Sequence, residues 1–180
     1  MIDVQKESKE ISSDRAYELL VISLYDLIKS YRTLLSLVRN ERDILISADM
    51  DKLNESNCEK DILLVQVRSQ EKARQKYARD YAHWVGADVD SPQLLDLSQR
   101  LINTDPEKAE KLRGLHSVLT LLLKRLGENN RQNEELVKTA LNNITGAMNA
   151  IKDALTEKPT YEGSGAQKGS NPGQLVRREI

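Results

Sequence analysis

The chain has 180 residues, enough for one domain and not comfortably two, with 27 basic and 28 acidic side chains and a formal charge of −1. That balance leaves no basic surplus to hold nucleic acid or an anionic membrane. Phe is absent, Trp occurs once and charged residues make up 31% of the chain, a composition of long helices rather than of a thick globular core.

Residues 1–12 are polar and without a clear period, and Met1 to Glu10 contains no apolar signal-peptide core. The longest apolar run, Leu19 to Leu24, is broken by Ser23, far short of the roughly 20 residues a membrane span needs. A single cysteine, Cys58, excludes an internal disulfide framework and fits a reducing compartment, so the expected location is the cytoplasm.

Ser13 or Asp14 is the expected cap of the first long helix. Its seam reads Tyr17, Leu20, Leu24, Leu27, Tyr31, Leu34, Val38, Glu41, Leu45, in alternating steps of three and four. Val21, Ile28 and Leu35 widen the stripe, which predicts packing against more than one neighbour. Ser47-Ala48-Asp49 interrupts the pattern, and Asp49 suits the cap of a second helix running to about Trp84. A connection this short makes the two helices antiparallel neighbours. The second seam, Leu53, Asn57, Lys60, Leu64, Val67, Glu71, Arg74, Ala78, Tyr81, is weaker in the middle than the first, and paired charges are expected along a solvated flank in the distal part of the hairpin. Gly86 to Pro92 reads as a linker and residues 93–102 as a short helix.

The longest element begins at Thr104. Asp105 can cap it, Pro106 suits its first turn, and no proline follows until Pro159. Apolar residues recur at Leu112, Leu115, Leu119, Leu122 and Leu126, and again at Val137, Leu141, Ile144, Met148, Ile151 and Leu155. Asn130 and Asn133 fill the gap on the same seam, either solvated there or acting as a register device or a hydrogen-bonded crossing. A helix gains stability by burying its stripe. The first block can find partners within the chain; the second lies beyond the polar break, where another protein can cover it. Gly114, Gly127 and Gly146 inside this helix each cost about 1 kcal/mol against alanine.

Half of the glycines and half of the prolines fall in residues 158–180, which read as a disordered tail with one aromatic, Tyr161. The expected fold is therefore all-α: an elongated antiparallel helical bundle of three long helices plus one short helix over residues 1–157 (hairpin 14–84, short helix 93–102, long helix 106–157) and a tail over 158–180.

Chemistry is sparse. His83 and His116 have no Cys or second His at ligand spacing, so neither a metal nor another cofactor is expected. Cys58 has no histidine near in sequence, and a partly buried, inert thiol is the expectation. No Gly-rich phosphate loop and no Glu-x-x-His pair is present, and no enzymatic activity is expected.

Four features carry a family resemblance: the opening hairpin with its turn Ile46-Ser47-Ala48-Asp49-Met50-Asp51-Lys52-Leu53, the short helix before the last rod, the run Asn130-Arg131-Gln132-Asn133-Glu134-Glu135-Leu136, and the tail Tyr161-Glu162-Gly163-Ser164-Gly165-Ala166-Gln167. Together they resemble FlgN-type flagellar export chaperones. The resemblance implies a protein that holds the hook–filament junction proteins FlgK and FlgL in the cytoplasm before type III export. It implies a grip on their C-terminal segments by Val137, Leu141, Ile144, Met148, Ile151 and Leu155, and docking on the export gate protein FlhA through Tyr161. The competing reading is a coiled-coil scaffold that self-associates, as a homodimer for example, through the same stripe.

Overall fold

The structure, a computed structural model, describes residues 12–156. Its elements are α1 (Ser13–Ser47), α2 (Met50–Val85), α3 (Leu94–Leu101) and α4 (Pro106–Thr156). The chain is all-helical as predicted, three helices long and one short, with no strand among the described residues. It divides into two compact units, Met1–Val137 and Lys138–Ile180.

Local chemistry explains the helix ends. Ser12 rather than Ser13 or Asp14 caps α1: it is the last extended residue, and its hydroxyl accepts from the Arg15 amide at 3.4 Å. Asp14 falls instead in the first turn, where its charge suits the positive end of the dipole. The other end of α1 closes with Ala48 in the left-handed region (φ 52°) and the Asp49 amide donating to Ile44 O. Asp49 then caps α2 by accepting from the Lys52 amide at 3.1 Å. Gly86 (φ 66°) ends α2 at no steric cost, and Arg100 of α3 donates to its carbonyl at 2.5 Å. Asp105 caps α4 through the Lys108 amide at 3.1 Å, with Pro106 in the first helical position.

In the first unit these helices share one core. Leu20, Leu24 and Leu27 of α1, Leu97 of α3 and Leu112 of α4 are fully buried, joined by Val67, Ala78 and Tyr81 of α2. The second stripe of α1 (Val21, Ile28, Leu35) is buried as well, so α1 packs on both α2 and α4. The links between α1 and α2 run in opposite order: Glu41 with Lys60, Ser30 with Gln66, Tyr17 with Tyr81. Those between α1 and α4 run in the same order: Tyr17 Oη donates to Lys108 O, and Asn133 Nδ2 donates to Val38 O. Charges do pair between α1 and α2, but they are largely covered rather than on a solvated flank: the Lys60–Glu41 side chains are only 18% and 13% exposed. Burial pushes the Glu71 carboxyl up, yet the bonds and charge of Arg74 outweigh it and hold it below the usual carboxylate range.

Where α1, α2 and α4 meet, Tyr17 and Tyr81 lie with ring centroids 5.5 Å apart, and Lys108 sits 5.3 Å above the Tyr17 ring. Burial first, then the neighbouring Tyr81, pushes the Tyr17 hydroxyl up to about 12, and burial raises Tyr81 and Tyr31 too. An unfolded tyrosine ionises near 10, so the unfolded chain gains stability by losing protons that the native state retains. Stability should hold up to about pH 10 and fall between there and about pH 12. Urea midpoints measured across that window should fall for the native sequence and less steeply for Tyr17→Phe. Parallel curves would remove Tyr17 as a source of the loss.

Candidate functional site

Helix α4 carries two apolar faces, and among the described residues only one is buried against other helices. Leu112, Leu115, Leu119 and Leu122 are buried in the core, and Leu126 packs against it. The covered line then continues through half-buried Asn129, buried Asn133 and half-buried Leu136. Asn133, 6% exposed, donates to the Val38 carbonyl at 2.8 Å and to the Glu41 carboxylate at 3.5 Å. Beside it, Arg42 donates to Gln132 Oε1 at 3.1 Å. The expectation that both asparagines share the seam is corrected for Asn130, which is exposed. After Leu126 a step of three or of four is equally good helix geometry; the half-buried position is Asn129, and Asn130 lies one residue, roughly 100°, further round.

Carried on at the same spacing, that line falls on Ala140, Asn143, Ala147 and Ala150. The large apolar residues stand elsewhere: Val137, Leu141, Ile144, Met148, Ile151 and Leu155, in steps of four, three, four, three and four. This spacing sets them along one side of the helix. All six are exposed, from 38% at Val137 to 80% at Leu155. Val137 is the last residue of the first unit, and the other five belong to the second, in which every residue from Lys138 to Leu155 is exposed. Among the described residues nothing covers these six large apolar side chains, and a contiguous row of this kind is a candidate interaction surface rather than ordinary surface scatter. The missed signal here is the strict seven-residue repeat of this block, which also assigns its bordering residues.

Gly114, Gly127 and Gly146 have open space where a Cβ would stand, so no backbone approaches them among the described residues. Cys58 is exposed, contrary to the partly buried thiol expected; Ser56, two positions away, takes the buried place. His83 is exposed and His116 half-buried, and no group of three or more His, Cys, Asp or Glu that could hold a metal occurs among the described residues. No helix among them is long and apolar enough to cross a membrane. An open cleft in the first unit, walled by Tyr31, Glu71, Arg74 and His116, contains a carboxylate and a guanidinium already paired with each other. Tyr161 lies outside the described residues.

A family model described as FlgN protein matches residues 17–169, most of the chain. No curated protein and no solved structure matches it.

Proposed function

The chain belongs to the FlgN protein family, and on that premise we propose that it is a cytoplasmic type III export chaperone for hook–filament junction proteins of the FlgK and FlgL kind. In this reading it holds their C-terminal segments and hands them to the export gate protein FlhA. The observation that carries the reading is the uncovered row Val137, Leu141, Ile144, Met148, Ile151 and Leu155. An amphipathic client segment laid along it buries both apolar faces at about 25 cal/mol per Å², less the cost of ordering the client. The unbranched, polarizable Met148 lets the row adapt to more than one client. Such a protein shields and delivers, and its work calls for no catalytic group.

Shielding is directly measurable. The purified C-terminal segment of a FlgK-type protein, digested with a protease at limiting dose, should survive several-fold longer when the chaperone is present in excess. Unchanged digestion would overturn the reading. Delivery is assigned to Tyr161, an aromatic whose contact area suits a pocket on the gate. Tyr161→Ala should leave client affinity within about twofold and weaken FlhA binding by about tenfold or more, as expected of an aromatic anchor worth more than ~1.4 kcal/mol. Equal FlhA binding by the two proteins would remove Tyr161 from the delivery step.

A further inference from the structure

The first unit carries another exposed face, where α1 and α4 lie side by side. On α1 it is formed by Tyr25, Lys29 and Arg32, four and three residues apart. On α4 it is formed by Lys111, Val118, Leu121 and Arg125, seven, three and four residues apart. Either spacing keeps its residues along one side of a helix. The two helices run in the same direction, linked at Tyr17 with Lys108 and at Arg42 with Gln132, so the stretch from Tyr25 to Arg32 runs beside the stretch of α4 that holds Val118 and Leu121. Lys111 Nζ, 5.9 Å from the centre of the Tyr25 ring, joins the two stripes directly. All of these residues are exposed, Tyr25 by 51% and Leu121 by 48%.

The charge on this face is of one sign. Lys29, Arg32 and Arg125 are in no ion pair among the described residues, and Lys111 lies over the Tyr25 ring without an acid beside it. The neighbouring acids lie elsewhere: Glu18 is paired with Arg15, Asp26 lines the groove between α1 and α2, and Glu110 lines the groove beside Ile102. Glu128 stands about one turn beyond Arg125, past the apolar part of the face. Gly114, on the same stripe as Lys111 and Val118, has open space where a Cβ would stand, so a partner's backbone can approach α4 there. We propose that this face takes one amphipathic helix of a partner protein, its apolar side on Tyr25, Val118 and Leu121 and its acidic edges against the four cations. Two parallel stripes at helical spacing form a lane for a rod, which fits a helix better than the plane of a lipid surface. A second copy presenting the same face would set like charges against each other. The inference is independent of the exposed row on α4, and it lets the chain hold two partners at once.

The test uses the full chain carrying Leu141→Asp and Ile151→Asp, which disables the row on α4 as a competing site. Two synthetic amphipathic peptides share one Leu/Ile seam, one bearing Glu and the other Lys at every edge position. Calorimetric titration at low salt should show the Glu peptide binding about tenfold or more tightly than the Lys peptide, from exposed charge pairs that attract in one case and repel in the other. The gap should narrow in 0.5 M salt. Adding Arg32→Glu and Arg125→Glu should cancel or reverse the preference; both side chains are exposed, so the variant retains its fold. Adding Leu121→Asp instead should weaken the Glu peptide about tenfold or more. No binding of the Glu peptide, equal affinity for the two peptides, or a preference unmoved by the arginine substitutions would overturn the proposal. Binding to anionic-lipid vesicles but not to the Glu peptide would overturn it in favour of a lipid surface, and self-association lost on the arginine substitutions would overturn it in favour of a second copy. None of these outcomes bears on the junction-protein segment, whose binding is read on the chain without the two aspartate substitutions.

Discussion

Leu141→Asp combined with Ile151→Asp should weaken client binding by at least about 100-fold while the helical core stays folded. Full burial of a Leu or Ile side chain is worth roughly 1.5–3 kcal/mol, so losing two removes at least about 3 kcal/mol. Each new carboxylate would also have to be desolvated under the client, which adds to the loss. The free protein should scarcely notice, because the two positions are 58% and 60% exposed and surface substitutions away from special features stay within about ±0.5 kcal/mol each. Calorimetric titration with the junction-protein segment, alongside thermal unfolding by circular dichroism, separates the two effects. A variant with unchanged melting and unchanged affinity would move the grip off this face.

The same residue type in the first block of α4 should behave in the opposite way. Leu112 is fully buried in the core shared by α1, α2, α3 and α4. Leu112→Ala should cost about 2–5 kcal/mol, the transfer free energy of the lost atoms plus the cavity left behind. Leu141→Ala, on the same helix, removes a side chain that is already 58% exposed and should change stability by no more than about 0.5 kcal/mol. Urea unfolding of both variants measures the contrast. Similar destabilisation by the two would mean that the second block is covered in the free protein and unavailable to a client.

That contrast was legible in the sequence to the extent that it depends on one helix alone. The two apolar blocks, the polar break between them and the Asp49 and Asp105 caps are local chemistry, with the cap side chain and its amide three residues apart. What could not be read locally was set by neighbours. Three adjacent polar residues, Ser12, Ser13 and Asp14, could each cap α1, and only the extended backbone at Ser12 selects among them. Asn130 and Asn133 fit the helical period equally well; the Val38 carbonyl of α1, ninety-five residues away in sequence, makes Asn133 the buried one. The middle of α2 has too weak an apolar pattern to fix its rotation, which is why Ser56 is buried and Cys58 exposed. The six candidate docking residues were visible as an apolar block beyond the polar break, but their exposure could only be expected there, because a stripe looks the same in sequence whether it meets a helix of its own chain or none.

The most direct test of the central claim is size-exclusion chromatography with light scattering on this protein alone and mixed with the purified C-terminal segment of its FlgK-type junction protein. A defined complex in the mixture is the expected result, because the second block of α4 is exposed among the described residues. A stable homo-oligomer that forms at all concentrations and takes up no junction-protein segment would contradict it, and would make the exposed row a self-association surface.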